Sequence, residues 1–315
     1  MSARGIGFVL VALVLGACRA PSGSATPRFP AGHEIVVCGE RVPVAAPVVL
    51  WTMEPRYDAY AEGPRFRDGD PEGKRYHPGR EPYDLATARA VEQEGWTREN
   101  LARQVDLFVL HYDACGSSRS CFRVLQDERQ LSVHFLLDLD GTIYQTLDLR
   151  EQAWHARSAN PRAVGIEIAH VGAYPPGERE RLTSAYAWDE TGARVVPPAG
   201  SQRRPDFDGR LAREAWIRGR IHGAELIQPD FTRAQYESLA ALAAALHEVL
   251  PRIALDAPRD DTGAVRTDAL SEDEKARFHG VLGHYHLQTD KRDPGPAFDW
   301  ECWLAMARAM SGPRP

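Results

Sequence analysis

The chain has 315 residues, 43% hydrophobic and 26% charged, the composition of a soluble globular protein with room for one large domain or two small ones. Its formal charge of -6, with no basic stripe carrying interleaved aromatics, argues against nucleic acid as a partner.

Residues 1–18 carry Arg4, an apolar run over 6–15 and small residues before a cysteine. This pattern is a secretion signal, too short for the roughly 20 apolar residues that a membrane-spanning helix needs. Leu15-Gly16-Ala17-Cys18 resembles the bacterial lipobox, whose cysteine is acylated and becomes the mature N-terminus; the alternative is a cleaved signal with an incidental cysteine. Arg19 follows where an aspartate would retain the protein at the inner membrane. The expected location is therefore the bacterial envelope, lipid-anchored to the outer membrane and facing the periplasm. Residues 19–33, rich in Pro, Gly, Ser and Ala, suit a flexible tether.

Residues 34–104 are expected to form an N-terminal extension. It holds strand candidates at 35–37 and 48–51 separated by Pro43 and Pro47, a Pro- and Gly-rich loop over 54–82, and a helix over 97–104 with Thr97 as N-cap. A second, larger domain is expected over 105–310. It opens with an apolar run over 105–112 that ends in His111-Tyr112. Segments 132–138 and 142–145 flank Asp140-Gly141, a hairpin signal because glycine accepts the positive φ of a tight turn. Alternation over 164–169 puts Val164, Ile166 and Ile168 on one strand face and Glu167 on the other. Residues 172–219 read as a polar, irregular insertion. A helix over 232–250 has a capping box at Thr232 and Gln235, with Leu239, Leu242, Leu246 and Val249 at helical spacing; a last helix covers 299–310. Strands mixed with helices predict an α/β or α+β sheet domain.

Four cysteines remain beside Cys18, and an exported chain can oxidise them. Cys115 and Cys121 flank a flexible Gly- and Ser-containing loop and are expected to bridge; two free thiols or, with less support, a zinc site are the alternatives. Elimination leaves Cys38 and Cys302 as a second pair.

His111 alone suits core packing as well as metal ligation. Downstream, Gly283-His284-Tyr285-His286 and a stretch from Lys291 through Asp293 to Trp300 add a second histidine and an aspartate. Two histidines and a carboxylate could supply three zinc ligands and leave a fourth position for water. His286, two residues after His284, would face the same way on an extended segment and is a rival ligand.

These elements occur in an order that resembles the zinc-dependent N-acetylmuramoyl-L-alanine amidases of the amidase-2 type, related to the animal peptidoglycan recognition proteins. The matching set is His111-Tyr112, Ser132-Val133-His134-Phe135 with the Asp140-Gly141 hairpin, Ala153-Trp154-His155-Ala156, Gly165-Ile166-Glu167-Ile168, Gly283-His284 and 291–300. The resemblance implies an α/β fold with a mixed central sheet flanked by helices. It implies His111, His284 and Asp293 as Zn2+ ligands, with Glu167 and Lys291 as the catalytic pair. The implied reaction is hydrolysis of the amide between N-acetylmuramic acid and L-alanine in peptidoglycan or a muropeptide. His134, Trp154 and His155 are expected to line the groove for that substrate, core roles being the alternative. The Cys115 to Cys121 spacing is also similar to a disulfide of the animal relatives. Asp113 stands where the family commonly has threonine or serine, and His286 where it often has an acid. A non-catalytic peptidoglycan-binding lipoprotein of the same fold is the alternative function, and a zinc peptidase lacks the His-Glu-x-x-His helix.

Overall fold

A computed structural model describes residues 31–312 apart from 191, 200 and 202. Cys18 and most of the expected tether lie outside the described residues. The chain opens with β1 (Gly32–Val37) and β2 (Glu40–Leu50), an antiparallel ribbon turned at Cys38-Gly39. Strand β1 thus starts within the stretch read as tether. Next come β3 (Tyr76–His77), α1 (Leu85–Glu94), which the sequence reading missed and which Asp84 caps, and α2 (Arg98–Gln104), capped by Thr97 as expected. They are followed by β4 (Leu107–Tyr112), α3 (Ser118–Arg123) with a further helical turn to Arg129, β5 (Phe135–Leu137), β6 (Ile143–Gln145), β7 (Gln152–Ala153) and β8 (Ala163–Ile168). The remaining elements are α4 (Glu180–Thr183), β9 (Tyr186–Asp189), β10 (Gly192–Val195), β11 (Trp216–Ile221), β12 (Ala224–Pro229), α5 (Arg233–Val249), α6 (Glu272–Arg277), β13 (Gly280–Gly283), α7 (His284–Leu287) and α8 (Trp300–Met310).

Seven strands form one mixed sheet in the order β1-β2-β6-β5-β8-β4-β13. Strands β5, β8, β4 and β13 run parallel, so their carboxyl ends lie along one edge. Side-chain alternation divides the core. Phe108, Leu110, Val164, Ile166 and Ile168 pack with Leu239, Leu242 and Leu246 of α5 and Trp303 of α8. Each of those fully buried leucines contributes about 2 kcal/mol by leaving water. On the other face, Leu107, Val109 and Leu282 pack with Ala156 and Leu287, while Leu136 and Tyr144 join Tyr57, Tyr76 and Phe122. Glu167 shares this second face with His111, its registered neighbour across β4 and β8.

Part of the expected N-terminal extension joins the sheet of the domain expected from residue 105. Strand β2 pairs with β6 over Val48–Leu50, and the Gln145 side chain bonds both Val36 N and Val36 O, at 2.7 and 2.8 Å. Pro43 and Pro47 do not break β2 because they precede its pairing with β6, where an amide facing away from β1 has no ladder partner to lose. The loop over 54–82 is tied down by two buried arginines. Arg75 donates to the carbonyls of Gln126, Glu62 and Gly73, and Arg80 to those of Leu149, Asn160 and Ala163. These guanidinium groups satisfy carbonyls of loops that would otherwise be buried unpaired.

The 172–219 insertion is ordered rather than irregular. Strands β9 and β10 make a hairpin, and Leu182, Tyr186, Val195 and Leu211 close over Leu139 and Ala169 at the carboxyl end of the sheet. Its apolar residues are too widely spaced to show a periodicity. Cys115 and Cys121 are free thiols, contrary to the expected bridge. Cys121 is buried within the Phe122 and Tyr144 cluster and Cys115 packs partly buried against it, so burial raises both thiol pKa values and contact with that core replaces a covalent link. Cys38 is also free, which rules out its pairing with Cys302. Among the described residues no helix is long and apolar enough to cross a membrane.

Candidate metal centre and active site

Apolar strand residues bring the candidate ligands together. His111 sits near the carboxyl end of β4, His284 opens α7 directly after β13, and β13 pairs with β4 in parallel. Asp293 follows in the loop before α8. His111 Nδ1 and His284 Nδ1 are 2.9 Å apart, and each is 3.0 Å from Asp293 Oδ2. All three residues are buried. An ion held tetrahedrally by bonds of about 2.0–2.1 Å has ligand atoms about 3.3 Å apart, so this triangle is one slightly contracted face of such a site. Two imidazole nitrogens and a carboxylate oxygen are a donor set that suits zinc.

The electrostatics of His111 and Asp293 suit a cation. Burial, reinforced by His284, lowers the His111 pKa to about 4, leaving the ring neutral. Burial opposes ionisation of Asp293, but His284 and His111 outweigh it and hold its carboxyl below the usual range. A neutral imidazole and an ionised carboxylate are the forms that bind metal.

Glu167, half-buried beside His111, has its pKa pushed well above the usual value by burial, then by Asp293 and Asp113. Lys291 is partly exposed, and its charge opposes protonation of His111 and favours ionisation of Glu167. Glu167 thus neighbours His111 across the strands, and the charge of Lys291 is felt by both.

The expected groove residues divide. His134 is fully buried: Nδ1 accepts from Gly165 N at 3.2 Å, and Nε2 donates to Glu151 O at 3.0 Å. It holds β5, β8 and the β7 approach together and lines no groove. Its burial and the nearby Arg80 lower its pKa to about 3. His155 is drawn into the metal centre, with Nδ1 3.0 Å from His111 Nε2. Its ring lies so close over Gly165 that a β-carbon there would collide with it. Trp154 is half-buried, as His155 is, and its backbone N is held by Ser132 Oγ at 3.0 Å.

His286 does not compete as a ligand. Because α7 begins at His284, two residues rotate the side chain by about 200° rather than returning it to the same face. His286 Nδ1 accepts from Gly283 N and Nε2 donates to Arg266 O, both at 2.9 Å. Two further polar groups were missed or underweighted. Asp113 Oδ1 accepts from the amides of Cys115, Gly116 and His170, fixing the loop after β4, and burial raises its pKa to about 7. Gln288 touches His284 Nε2 with its side-chain amide at 2.7 Å. The spacing of four between His284 and Gln288 could have revealed it.

Fold and site together define an α/β protein with a His-His-Asp group that could hold a cation, at the carboxyl edge of a mixed sheet, the edge where open α/β sheets place their ligands. The family model for N-acetylmuramoyl-L-alanine amidases, Amidase_2, matches residues 101–296, more than half of the 315, and the chain belongs to that family. No curated protein matches. Similar solved structures include an AmpD selenomethionine derivative, 19% identical over 65% of this chain and 86% of that one with a TM-score of 0.33. The N-acetylmuramyl-L-alanine amidase AmiD from E. coli, solved with anhydro-N-acetylmuramic acid-L-Ala-D-gamma-Glu-L-Lys, is 17% identical over 68% of this chain and 59% of that one, TM-score 0.36. Drosophila peptidoglycan recognition protein SA is 12% identical over 80% and 87%, TM-score 0.32.

Proposed function

We propose that this chain is a zinc-dependent N-acetylmuramoyl-L-alanine amidase, hydrolysing the amide between N-acetylmuramic acid and L-alanine in peptidoglycan or muropeptides. The observation that carries the reading is the convergence of Glu167 on the His111, His284 and Asp293 triad in a chain of the amidase family. A zinc ion held by those three residues would supply a Lewis acid for the scissile carbonyl and for water. Glu167 is the proton carrier. Burial and neighbouring carboxylates make its carboxyl ready to accept a proton from the attacking water, and it can return that proton to the leaving amine. Lys291 brings positive charge to the same corner and offsets the charge developing on the carbonyl oxygen. Trp154 offers an aromatic plane to the substrate.

Bound zinc is to be measured, then purified sacculi and defined muropeptides digested and the products identified by mass. Wild type should bind zinc and release free stem peptide. Glu167→Gln should keep the metal and lose about 10²–10⁴-fold in rate. A wild-type protein that binds zinc and sacculi but frees no stem peptide is a binding lipoprotein of this fold, and the amidase reading fails.

The same reading places the protein in the envelope, lipid-anchored through Cys18 to the outer membrane. Labelled palmitate should enter the wild type and not Cys18→Ser; equal labelling of both removes the anchor.

A further inference from the structure

We propose that His155 and Gln288 are positioning residues of the metal centre, each accepting the Nε2–H of one ligand histidine and so fixing which ring nitrogen that histidine turns to the ion. This rests on the zinc reading of the triad. The atoms that converge are Nδ1 of His111, Nδ1 of His284 and Oδ2 of Asp293. For both Nδ1 lone pairs to face a cation, both ring protons must sit on Nε2, and a buried N–H needs an acceptor.

Each Nε2 has one within reach. His155 Nδ1 lies 3.0 Å from His111 Nε2, with the rings at 88°. His155 is itself held from two sides. Asn160 Oδ1 accepts from the amides of His155 and Ala156, and the bare backbone of Gly165 admits the ring. Accepting on Nδ1 leaves the His155 proton on Nε2, which is buried and has no partner among the described residues.

Gln288 carries a second, independent sign. Its amide nitrogen faces His284 Nε2 at 2.7 Å, while its oxygen is buried without a hydrogen-bond partner. That orientation suits only a His284 with its proton on Nδ1, which then donates to Asp293. Exchanging the two amide atoms, which are equal in shape, lets Oε1 accept from Nε2–H and removes the orphaned oxygen. With Oε1 on Nε2–H, His284 is left with its Nδ1 lone pair facing the other two ligand atoms. Gln288 N donates to His284 O at 3.1 Å, which sets the side chain one helical turn along, against the ring.

The test is zinc affinity of the full chain, by competition with a chromophoric chelator, with thermal unfolding as the check on folding. Gln288→Leu and His155→Leu should each weaken zinc about 10–100-fold. Gln288→Glu and His155→Asn, which keep an acceptor oxygen near the same point, should restore affinity to within a few-fold of wild type; a purely structural role would not separate these pairs. Should His155→Leu fail to fold, the Gln288 pair decides. Leucine variants that fold and bind zinc as wild type does overturn the proposal and leave the zinc reading standing. A wild type that binds no zinc overturns both.

Discussion

The two ends of strand β4 each bury a carboxylate beside histidine, and the two clusters are built for opposite purposes. At the amino end, Asp106 Oδ1 accepts from Arg162 Nε at 2.6 Å, and Oδ2 contacts Arg252 Nη2 and His279 Nδ1, both at 2.8 Å. Two permanent cations saturate it. That cluster ties β4 to Arg162 at the start of β8, to the turn after α5 and to the residue before β13. At the carboxyl end Asp293 has only His111 and His284 on Oδ2, and at least the first is held neutral by its burial. Among the described residues no arginine or lysine pairs with that carboxylate, and the charge that holds it down comes from two imidazoles, which are not permanent cations. Burial and residue type are alike at the two ends; what separates a staple from a candidate site is whether the fold supplies a permanent counter-charge.

Removing the carboxylate at each end should break the comparison cleanly. Asp293→Ala is expected to abolish zinc binding and lower stem-peptide release by about 10³-fold or more, with the fold kept, as read by metal content and product assay. Retention of stoichiometric zinc would remove Asp293 from the centre. Asp106→Asn should do the reverse. It should cost about 2–4 kcal/mol in denaturant unfolding, below the figure for a fully buried pair because Arg162 and Arg252 keep 20% and 35% exposure, and leave zinc affinity unchanged.

Acid should act mainly on the carboxyl end. In the zinc-free chain the His111 pKa is lowered from 6.5 to about 4, so the unfolded chain binds more protons between those values. The stability this group contributes is present above pH 6.5 and is lost as pH falls towards 4, and buried His170, also near 4, adds in the same sense. The raised carboxyl of Asp113 acts in the opposite sense, so the histidine contribution is read by difference: zinc-free His170→Gln should lose less Tm from pH 6.5 to 4 than zinc-free wild type, and equal losses would contradict the burial argument. The smallest effect is expected from His279→Gln. Its side chain is 43% exposed, so the loss should be under about 1 kcal/mol against Asp106→Asn. A larger loss would mean that His279 and not the arginines balances Asp106.

Where signals are local, the sequence by itself determined the outcome. Thr232 with Gln235 and the leucine spacing located α5, and Thr97 located the start of α2. Asp140-Gly141 marked the hairpin, because Gly141 takes the positive φ of 81° that the turn requires. The His111, His284 and Asp293 group was legible through the order of short motifs, although the two histidines are 173 positions apart. What lay beyond local pattern was decided by the tertiary structure. Residues 34–50 enter the sheet only because β6, about a hundred residues later, offers β2 a free edge, and no periodicity within 34–50 encodes that partner. His134 and His155 are similar in sequence context, but one is closed in by Gly165 and Glu151 and the other is turned onto His111, a difference made by the crossing of strands. His284 and His286 were separated by a change from strand to helix at Gly283, which rotates one ring into the centre and the other away. Local conformation is set by neighbours along the chain, whereas a charge balance such as those at Asp106 and Asp293 is set by groups that only folding brings within a few ångströms.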